Sequence, residues 1–214
     1  MSDDVKRPYQ SRRRAESAEQ TRQLIRAAAK RLFETRGVTA TTMRQVAAEA
    51  GVAERTVYTA FPTKTALFNE VVNIATVGDD RPVPVADRAA FTDLFTERDP
   101  RRAVQLMVGF GTALLDRAGD LIMAAIESSG ADADMREFCE RSSAANKANM
   151  LRLARAWADN GLLRDHLDAE TAATQLHTLC SPHVHHLLRR DQGWSSDRYR
   201  AWLADTLLAT VLRS

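Results

Sequence analysis

The stretch Thr41–Leu67 reads TTMRQVAAEAGVAERTVYTAFPTKTAL and decides the fold. Its pattern predicts two short helices joined by an Ala-Gly-Val turn, and a third helix that begins near Pro62. Gly51 lies in the turn, where a left-handed backbone favours a residue without Cβ. Two short helices joined in this way form a helix-turn-helix, whose second helix enters the major groove of DNA.

Each predicted helix has local signals of its own. Thr42 and Gln45 have the spacing of a capping box, in which each side chain bonds the backbone N–H of the other residue. Apolar residues then recur at helical spacing in the first helix: Met43, Val46, Ala47 and Ala50. In the second helix, Val57 and Phe61 are four apart and predict an inward face. The residues left to point outward are long or hydroxylated: Arg55, Thr56, Tyr58 and Thr59.

Cations flank this motif on both sides. Lys64 falls in the first turn of the next helix, where it opposes the helix dipole unless an anion such as a DNA phosphate lies nearby. The run Lys6–Arg14, KRPYQSRRR, is predicted to be an unstructured basic arm. Such arms follow phosphates or enter the minor groove, although a solvated lysine and a solubilising tail are the alternatives.

Taken in order, these residues resemble the tetracycline-repressor (TetR/AcrR) family of bacterial one-component regulators. The resemblance covers about a quarter of the chain, and the ordered combination is specific where a single element is weak. The residues that carry it are Arg22, Ile25, Ala27, Ala28, Leu32, Phe33, Glu34, Gly37, Thr41, Thr42, Val46, Ala47, Ala50, Gly51, Val52, Thr56, Val57, Tyr58, Phe61, Lys64 and Leu67.

The resemblance implies a role for several of these residues. Thr42 and Lys64 would bind phosphate, Tyr58 would contact the DNA backbone, and the outward residues of the second helix would face base edges. The full set expected at DNA is Arg12, Arg13, Arg14, Thr41, Thr42, Arg44, Ala53, Glu54, Arg55, Thr56, Tyr58, Thr59 and Lys64. Two residues depart from the family pattern: Ala53 replaces the usual Ser or Thr cap, and Ala60 replaces a His or aromatic residue.

The charge distribution agrees with DNA binding. Residues 1–70 contain 13 Lys and Arg against 8 Asp and Glu, whereas residues 71–214 contain 17 against 20. The positive excess therefore lies in the half that holds the motif. No apolar run is long enough to span a membrane, and Cys139 and Cys180 are far apart, as suits a reducing cytosol. We therefore expect a cytoplasmic protein without membrane association.

Helical periodicity throughout predicts an all-α fold in three parts. Residues 1–16 form the arm, residues 17–62 the helix-turn-helix domain, and residues 63–214 a helical ligand-binding and dimerisation domain. Further predicted helices span Ser17–Arg36, Thr63–Val77, Asp87–Thr96, Asp99–Asp116, Asp120–Ser128, Asp132–Trp157 and Asp168–Arg190, with the last from Ser196. Gly78–Pro84 is predicted to be a loop.

The two C-terminal helices carry more apolar surface than one core needs, which indicates a homodimer interface as in the family. The predicted interface residues are Leu176, Leu179, His183, Leu187, Tyr199, Trp202 and Thr206. The resemblance also implies a pocket for a small-molecule effector, uncharged or aromatic because few charges interrupt these helices. The predicted lining is Phe95, Met107, Phe110, Met123, Phe138, Trp157 and His177.

Several other functions are weighed against this interpretation. The sequence has no Gly-rich phosphate loop, GxSxG elbow or HExxH motif, so we expect neither an enzyme nor a cofactor. Cys180, His183 and His186 are spaced as a possible three-ligand metal ridge, and Cys180 is a possible redox switch; both are weak alternatives. An architectural DNA-binding protein without an effector is a further alternative.

Overall fold

The structure, a computed structural model, describes residues 6–78 and 89–213 and confirms the all-α fold. Its helices are α1 Lys6–Arg36, α2 Met43–Ala50, α3 Glu54–Ala60, α4 Lys64–Val77, α5 Ala89–Thr96, α6 Pro100–Ser128, α7 Ala133–Asp159, α8 Ala169–Leu179, α9 Pro182–His186 and α10 Ser196–Thr210. A π-helical turn, Leu187–Asp191, follows α9. Most of the predicted loop Gly78–Pro84 lies outside the described residues. The chain divides into two compact units, Met1–Val71 and Val72–Ser214.

The core of the first unit forms between α1 and the three helices that follow. Phe33 of α1 meets Phe68 of α4 edge to face, with ring centroids 5.4 Å apart. Val57 and Phe61 are buried, which confirms the inward face predicted for α3. This packing matters because α2 and α3 are too short to be stable alone.

The first helix begins at Lys6, so the predicted start at Ser17 and the predicted unstructured arm are both wrong. The composition of the segment explains the difference, because Arg, Lys, Gln and Glu all have high helix propensity. Pro8 is tolerated because it lies in the first turn, where the backbone N–H has no intrahelical partner. The basic residues of this segment therefore follow a helix.

Within the second unit, α6 is continuous where two helices were predicted, Asp99–Asp116 and Asp120–Ser128. Gly119 lies inside this helix as a packing residue. A Cβ atom at Gly119 would lie 3.3 Å from Nδ1 of His185, so the missing side chain lets α9 approach closely.

The predicted helix Asp168–Arg190 is wrong in the opposite sense, because the chain forms two helices there. α8 ends at Leu179, and Ser181 caps α9 by accepting a hydrogen bond from the Val184 amide (3.3 Å). Pro182 is the first residue of α9, a position that needs no backbone N–H. Pro182 therefore begins a second helix.

His185 of α9 is buried, and its Nε2 lies 3.0 Å from Oδ1 of Asp116 on α6. Asp116 also accepts hydrogen bonds from Ser196 Oγ (2.7 Å) and Arg189 Nε (3.3 Å). Burial lowers the pKa of His185 below its ordinary 6.5, although the hydrogen bond to Asp116 opposes that shift. One carboxylate thus joins α6, α9, the π-helical turn and α10.

This arrangement predicts a stability that falls on acidification. Since the pKa of His185 is lower folded than unfolded, the unfolded chain binds more protons below pH 6.5. The free energy of unfolding should therefore decrease from about pH 7 to about pH 5. Urea denaturation should show a weaker pH dependence in His185→Gln than in the wild type. His183→Gln, at an exposed position of the same helix, is the control; an equal change in both variants would contradict a specific role for His185.

Candidate functional site

The helix-turn-helix has the local geometry that its sequence predicts. Thr42 Oγ1 accepts the Gln45 amide N–H (3.2 Å), while Gln45 Oε1 accepts the Thr42 amide N–H (2.8 Å). This confirms the capping box. Gly51 ends α2 with φ of 67°, and its N–H bonds carbonyls of α2. Only a residue without Cβ adopts that backbone without strain, so the turn angle between α2 and α3 depends on Gly51.

The exposed face of α3 is the centre of the candidate site. Arg55, Tyr58 and Thr59 are exposed, whereas Val57 between them is fully buried. Arg55 and Thr59 are one turn apart, and the Thr59 hydroxyl donates to the Arg55 carbonyl (2.8 Å). That bond uses the only hydroxyl proton of Thr59, which leaves its oxygen to accept a hydrogen bond from a base.

The remaining predicted contacts around α3 are mostly accessible. Ala53 provides no side-chain cap for α3, as predicted from its departure from the family pattern. Glu54, Arg44 and Arg14 are exposed, and Thr56 is partly buried. The side chains of Arg12 and Arg13 lie outside the described part of the structure, so their predicted role at DNA stays a prediction.

Two residues predicted at the DNA, Thr41 and Lys64, have structural contacts within the chain. Thr41 is buried, and its hydroxyl donates to the carbonyl of Gly37 (2.8 Å), so its assignment to the DNA surface is wrong. Lys64 Nζ donates to the carbonyl of Val38 at 2.9 Å. That bond uses one of three N–H donors and attaches the start of α4 to the loop after α1. Lys64 is therefore more than a solvated cation.

The sequence patterns predict no role for Arg22 or Arg26 of α1, although Arg22 is among the residues of the family resemblance. Arg22 donates to the carbonyl of Ala60, the last residue of α3, at 2.7 Å, and pairs with Glu70 of α4. Arg26 donates to the same carboxylate at 2.7 Å. The four-residue spacing of the arginines was visible in the sequence. Their carboxylate partner, 48 positions from Arg22, was not.

The residues predicted to line a pocket fall into two groups. Met107 and Trp157 belong to the core, and the Trp157 indole N–H donates to the carbonyl of Leu94 (2.9 Å); their role in a ligand pocket stays a prediction. The others are partly buried: Phe95, Phe110, Met123, Phe138 and His177. Nδ1 of His177 lies 3.2 Å from the Asn146 side-chain amide.

A shallow cavity of about 340 Å³ lies elsewhere on the second unit. It is lined by Asp93, Thr96, Glu97, Arg98, Arg102 and Leu106. None of the predicted pocket residues is among them. Its charged lining suits water or ions better than an apolar ligand, so it does not replace the predicted pocket.

The predicted dimer face is narrower than expected. Leu176 and Tyr199 are completely buried in their own chain, so their assignment to the interface is wrong. Tyr199 shares its helix face with the core residues Leu203 and Leu207, which explains its burial. The residues that keep accessible surface are Leu179, His183, Leu187, Trp202 and Thr206.

The metal and redox alternatives find no support in the geometry. Cys180 follows the end of α8, whereas His183 and His186 lie on α9, so the predicted ridge is broken between helices. Among the described residues, no group of three His, Cys, Asp or Glu side chains could hold a metal ion. Burial raises the pKa of the Cys180 thiol to about 12, which disfavours the reactive thiolate. In the described part of the chain, no helix is long and apolar enough to cross a membrane.

Comparison with known proteins extends this description. Across about nine-tenths of the chain, the fold matches NalD, the secondary repressor of the MexAB-OprM multidrug efflux pump in Pseudomonas aeruginosa: 24% identity, 93% of this chain and 99% of NalD covered, TM-score 0.69. A protein from Saccharomonospora viridis in complex with choline matches at 21% identity and a TM-score of 0.68. The match covers 92% of this chain and 100% of that protein. The SmeT–triclosan complex matches at 19% sequence identity and a TM-score of 0.63. The match covers 91% of this chain and 92% of SmeT.

The family model that describes bacterial regulatory proteins of the tetR family matches residues 25–71, which include the whole helix-turn-helix. A comparison with curated protein sequences finds no relative of the chain. The matched segment contains the capping box, the Gly51 turn and the exposed face of α3. Residues 25–71 are therefore similar to the DNA-binding segment of tetR-family bacterial regulatory proteins, and the described chain shares its fold with the solved structures above.

Proposed function

We propose that this protein is a repressor that binds a palindromic operator as a homodimer and leaves it when a small-molecule effector binds. The observation that carries the proposal is the exposed surface of α3, formed by Arg55, Tyr58 and Thr59, while Val57 of the same helix is buried. Arginine can bond guanine with two hydrogen bonds, and a short helix of this kind fits the major groove.

Dimerisation follows from the requirements of operator binding and from the surface of the C-terminal helices. A two-fold symmetric dimer reads two half-sites about 34–36 Å apart, one turn of DNA. Leu187 is 49% exposed on the π-helical turn, and Trp202 is partly buried on α10. Large apolar side chains such as Leu187 and Trp202, which keep accessible surface in the single chain, are residues that a partner subunit would cover.

For the effector site, we favour the side of α6 near Gly109–Thr112. Cβ atoms at Gly109 and Gly111 would meet no atom within 4 Å, so the helix has room beside it. The Thr112 hydroxyl is buried without a hydrogen-bond partner, which is costly unless a ligand or water bonds to it. Phe110 is partly buried in the same stretch. An uncharged or aromatic effector with one polar group, as triclosan is for SmeT, fits these features.

Release requires that the effector bind the released conformation more tightly than the DNA-bound one. We expect α4 to transmit the change, because it runs from the DNA-binding unit into the second unit.

The proposed function requires that the protein be in the cytoplasm, where its DNA is. The alternative is a DNA-binding protein without effector control, which would keep its operator in the presence of every small molecule tested.

Selection of duplexes from a random pool by the purified protein tests DNA binding. We expect a palindrome whose half-site centres are about 10–10.5 base pairs apart. A pool without enriched sequence would contradict the proposal. Native mass spectrometry of the purified dimer then seeks a co-purified small molecule, and its release by titrated DNA would demonstrate the expected competition.

The basic segment at the start of α1 gives a prediction about salt dependence. Replacing Arg12 and Arg13 together by glutamine removes two charges and keeps good helix formers. If both side chains neutralise phosphates, the slope of log affinity against log salt should fall by about 2. Fluorescence anisotropy at several salt concentrations measures it. Replacing Arg101 and Arg102 of α6 by glutamine is the charge-matched control, and an equal slope in the two variants would contradict a role for the segment.

A further inference from the structure

The C-terminal end of α3 is held by a side chain from another helix. The guanidinium of Arg22 on α1 lies 4.3 Å from the centre of the Phe61 ring, immediately after α3. The same group donates to the carbonyl of Ala60 at 2.7 Å and pairs with Glu70 of α4. Arg22 therefore contacts the end of α3 and the side of α4 at once.

A second arginine fixes the counter-ion. Arg26 is one turn further along α1, and its side chain is only 12% exposed. It donates to Glu70 Oε1 and to Glu19 Oε1, both at 2.7 Å. Two arginines thus hold Glu70 from the same helix. Each arginine bonds a different oxygen of Glu70, and the planar, rigid guanidinium makes such charged hydrogen bonds directional.

α3 depends on such contacts more than most helices do. It has 7 residues, and its N-terminal residue Ala53 makes no side-chain hydrogen bond. Helices of this length are unstable alone, and the last carbonyls of a helix have no partner within it. Arg22 bonds one of those carbonyls and complements the negative end of the helix dipole. The direction of α3 is therefore set mainly by Val57, by Phe61 and by Arg22.

We propose that Arg22 is a positioning residue for DNA recognition, and that Glu70 acts through it. The pair attaches the end of α3 to α1 and α4, so that Arg55 and Thr59 meet the base edges in one fixed orientation. The inference rests on the proposed function, in which α3 reads DNA. It adds that Arg22 determines specificity without touching a base. It also adds that a displacement of α4 would change the orientation of α3, because Glu70 of α4 holds Arg22.

The test compares Arg22→Met with Arg31→Met. Both variants remove one positive charge from α1, but Arg31 pairs with Glu49 of α2, whereas Arg22 bonds the end of α3. Affinity is measured for the duplex that the wild type selects and for a scrambled duplex. Arg22→Met should lose about tenfold on the selected duplex, as for a charged hydrogen bond. On the scrambled duplex it should match Arg31→Met, because non-specific binding follows charge alone.

Rescue and hydrogen exchange separate positioning from folding. Arg22→Lys keeps the charge and N–H donors but loses the planar fork of the guanidinium, so it should recover part of the lost specificity. Amide exchange in α3 should be faster in Arg22→Met and unchanged in Arg31→Met. Glu70→Gln should weaken selected binding in the wild type and add little in Arg22→Met, as expected for residues that act together. If Arg22→Met does not fold, Arg22→Lys and Glu70→Gln decide by the same measurements.

The outcomes are distinguishable. Equal losses on both duplexes, or wild-type exchange in α3, would make Arg22 an ordinary surface charge and overturn the inference while leaving the proposed function intact. A wild type that selects no sequence would overturn the proposed function itself. A larger loss than in Arg31→Met on the selected duplex, an equal affinity of the two variants for the scrambled duplex, and faster exchange in α3 would support the positioning role.

Discussion

Leu187→Asp should convert the protein to a monomer at micromolar concentration and lower its affinity for the selected operator by about 100-fold or more. Leu187 is 49% exposed on the π-helical turn after α9, so the substitution removes little from the core of its own chain. In a dimer interface the carboxylate would be buried without a partner, which is strongly unfavourable. A monomer then meets one half-site and loses the avidity of two linked DNA-binding units.

Leu24→Asp is the matched control. Leu24 of α1 is 56% exposed and lies in the first unit, so it receives the same change at a similar exposure. Sedimentation velocity should show a dimer for Leu24→Asp and a monomer for Leu187→Asp, with similar thermal unfolding for both. A dimeric Leu187→Asp that binds its operator normally would exclude this turn from the interface.

Trp202 is a less direct probe of the same interface than its size suggests. Its ring lies 6.1 Å from that of Trp194 and 6.0 Å from that of Tyr199. Truncating Trp202 would therefore disturb the packing of its own chain before it affected a partner. The predicted interface role of Trp202 stays a prediction, and Leu187 tests it without that complication.

The DNA-binding motif could be predicted from the sequence because its determinants are local. The capping box joins residues three apart, and Gly51 meets a requirement for positive φ that one position imposes. The inward positions of α3 follow from a four-residue spacing. Such features depend only on residues within one or two helical turns, so they can be recognised in the sequence.

The contacts that position the motif depend on distant residues and were not predictable in the same way. Arg22 and Glu70 are 48 positions apart, and His185 and Asp116 are 69 apart. The same limit explains the errors at Tyr199 and Leu176, because an apolar stripe does not specify whether its own core or a partner covers it. The early start of α1 has another cause: a basic segment is typical of disordered arms, but Arg, Lys and Gln also favour a helix.

Arg55→Ala should weaken binding to the selected operator by about 1–3 kcal/mol and relax the preference at one base pair. Arg55 is exposed on α3, one turn before Thr59, on the side opposite the buried Val57. If its guanidinium bonds a base edge, the loss is confined to duplexes that carry that base. Binding to a panel of operators with single base-pair changes measures both effects.

Arg44→Ala is the control for loss of charge alone, since Arg44 is exposed on α2 rather than on α3. If Arg44 contacts phosphate, its loss should weaken all duplexes in the panel about equally and lower the salt slope by about 1. Arg55→Ala should instead flatten the response at one position while every other position keeps its wild-type preference. If both variants lower affinity uniformly across the panel, then Arg55 also binds phosphate. Other exposed residues of α3 would then have to contact the base edges.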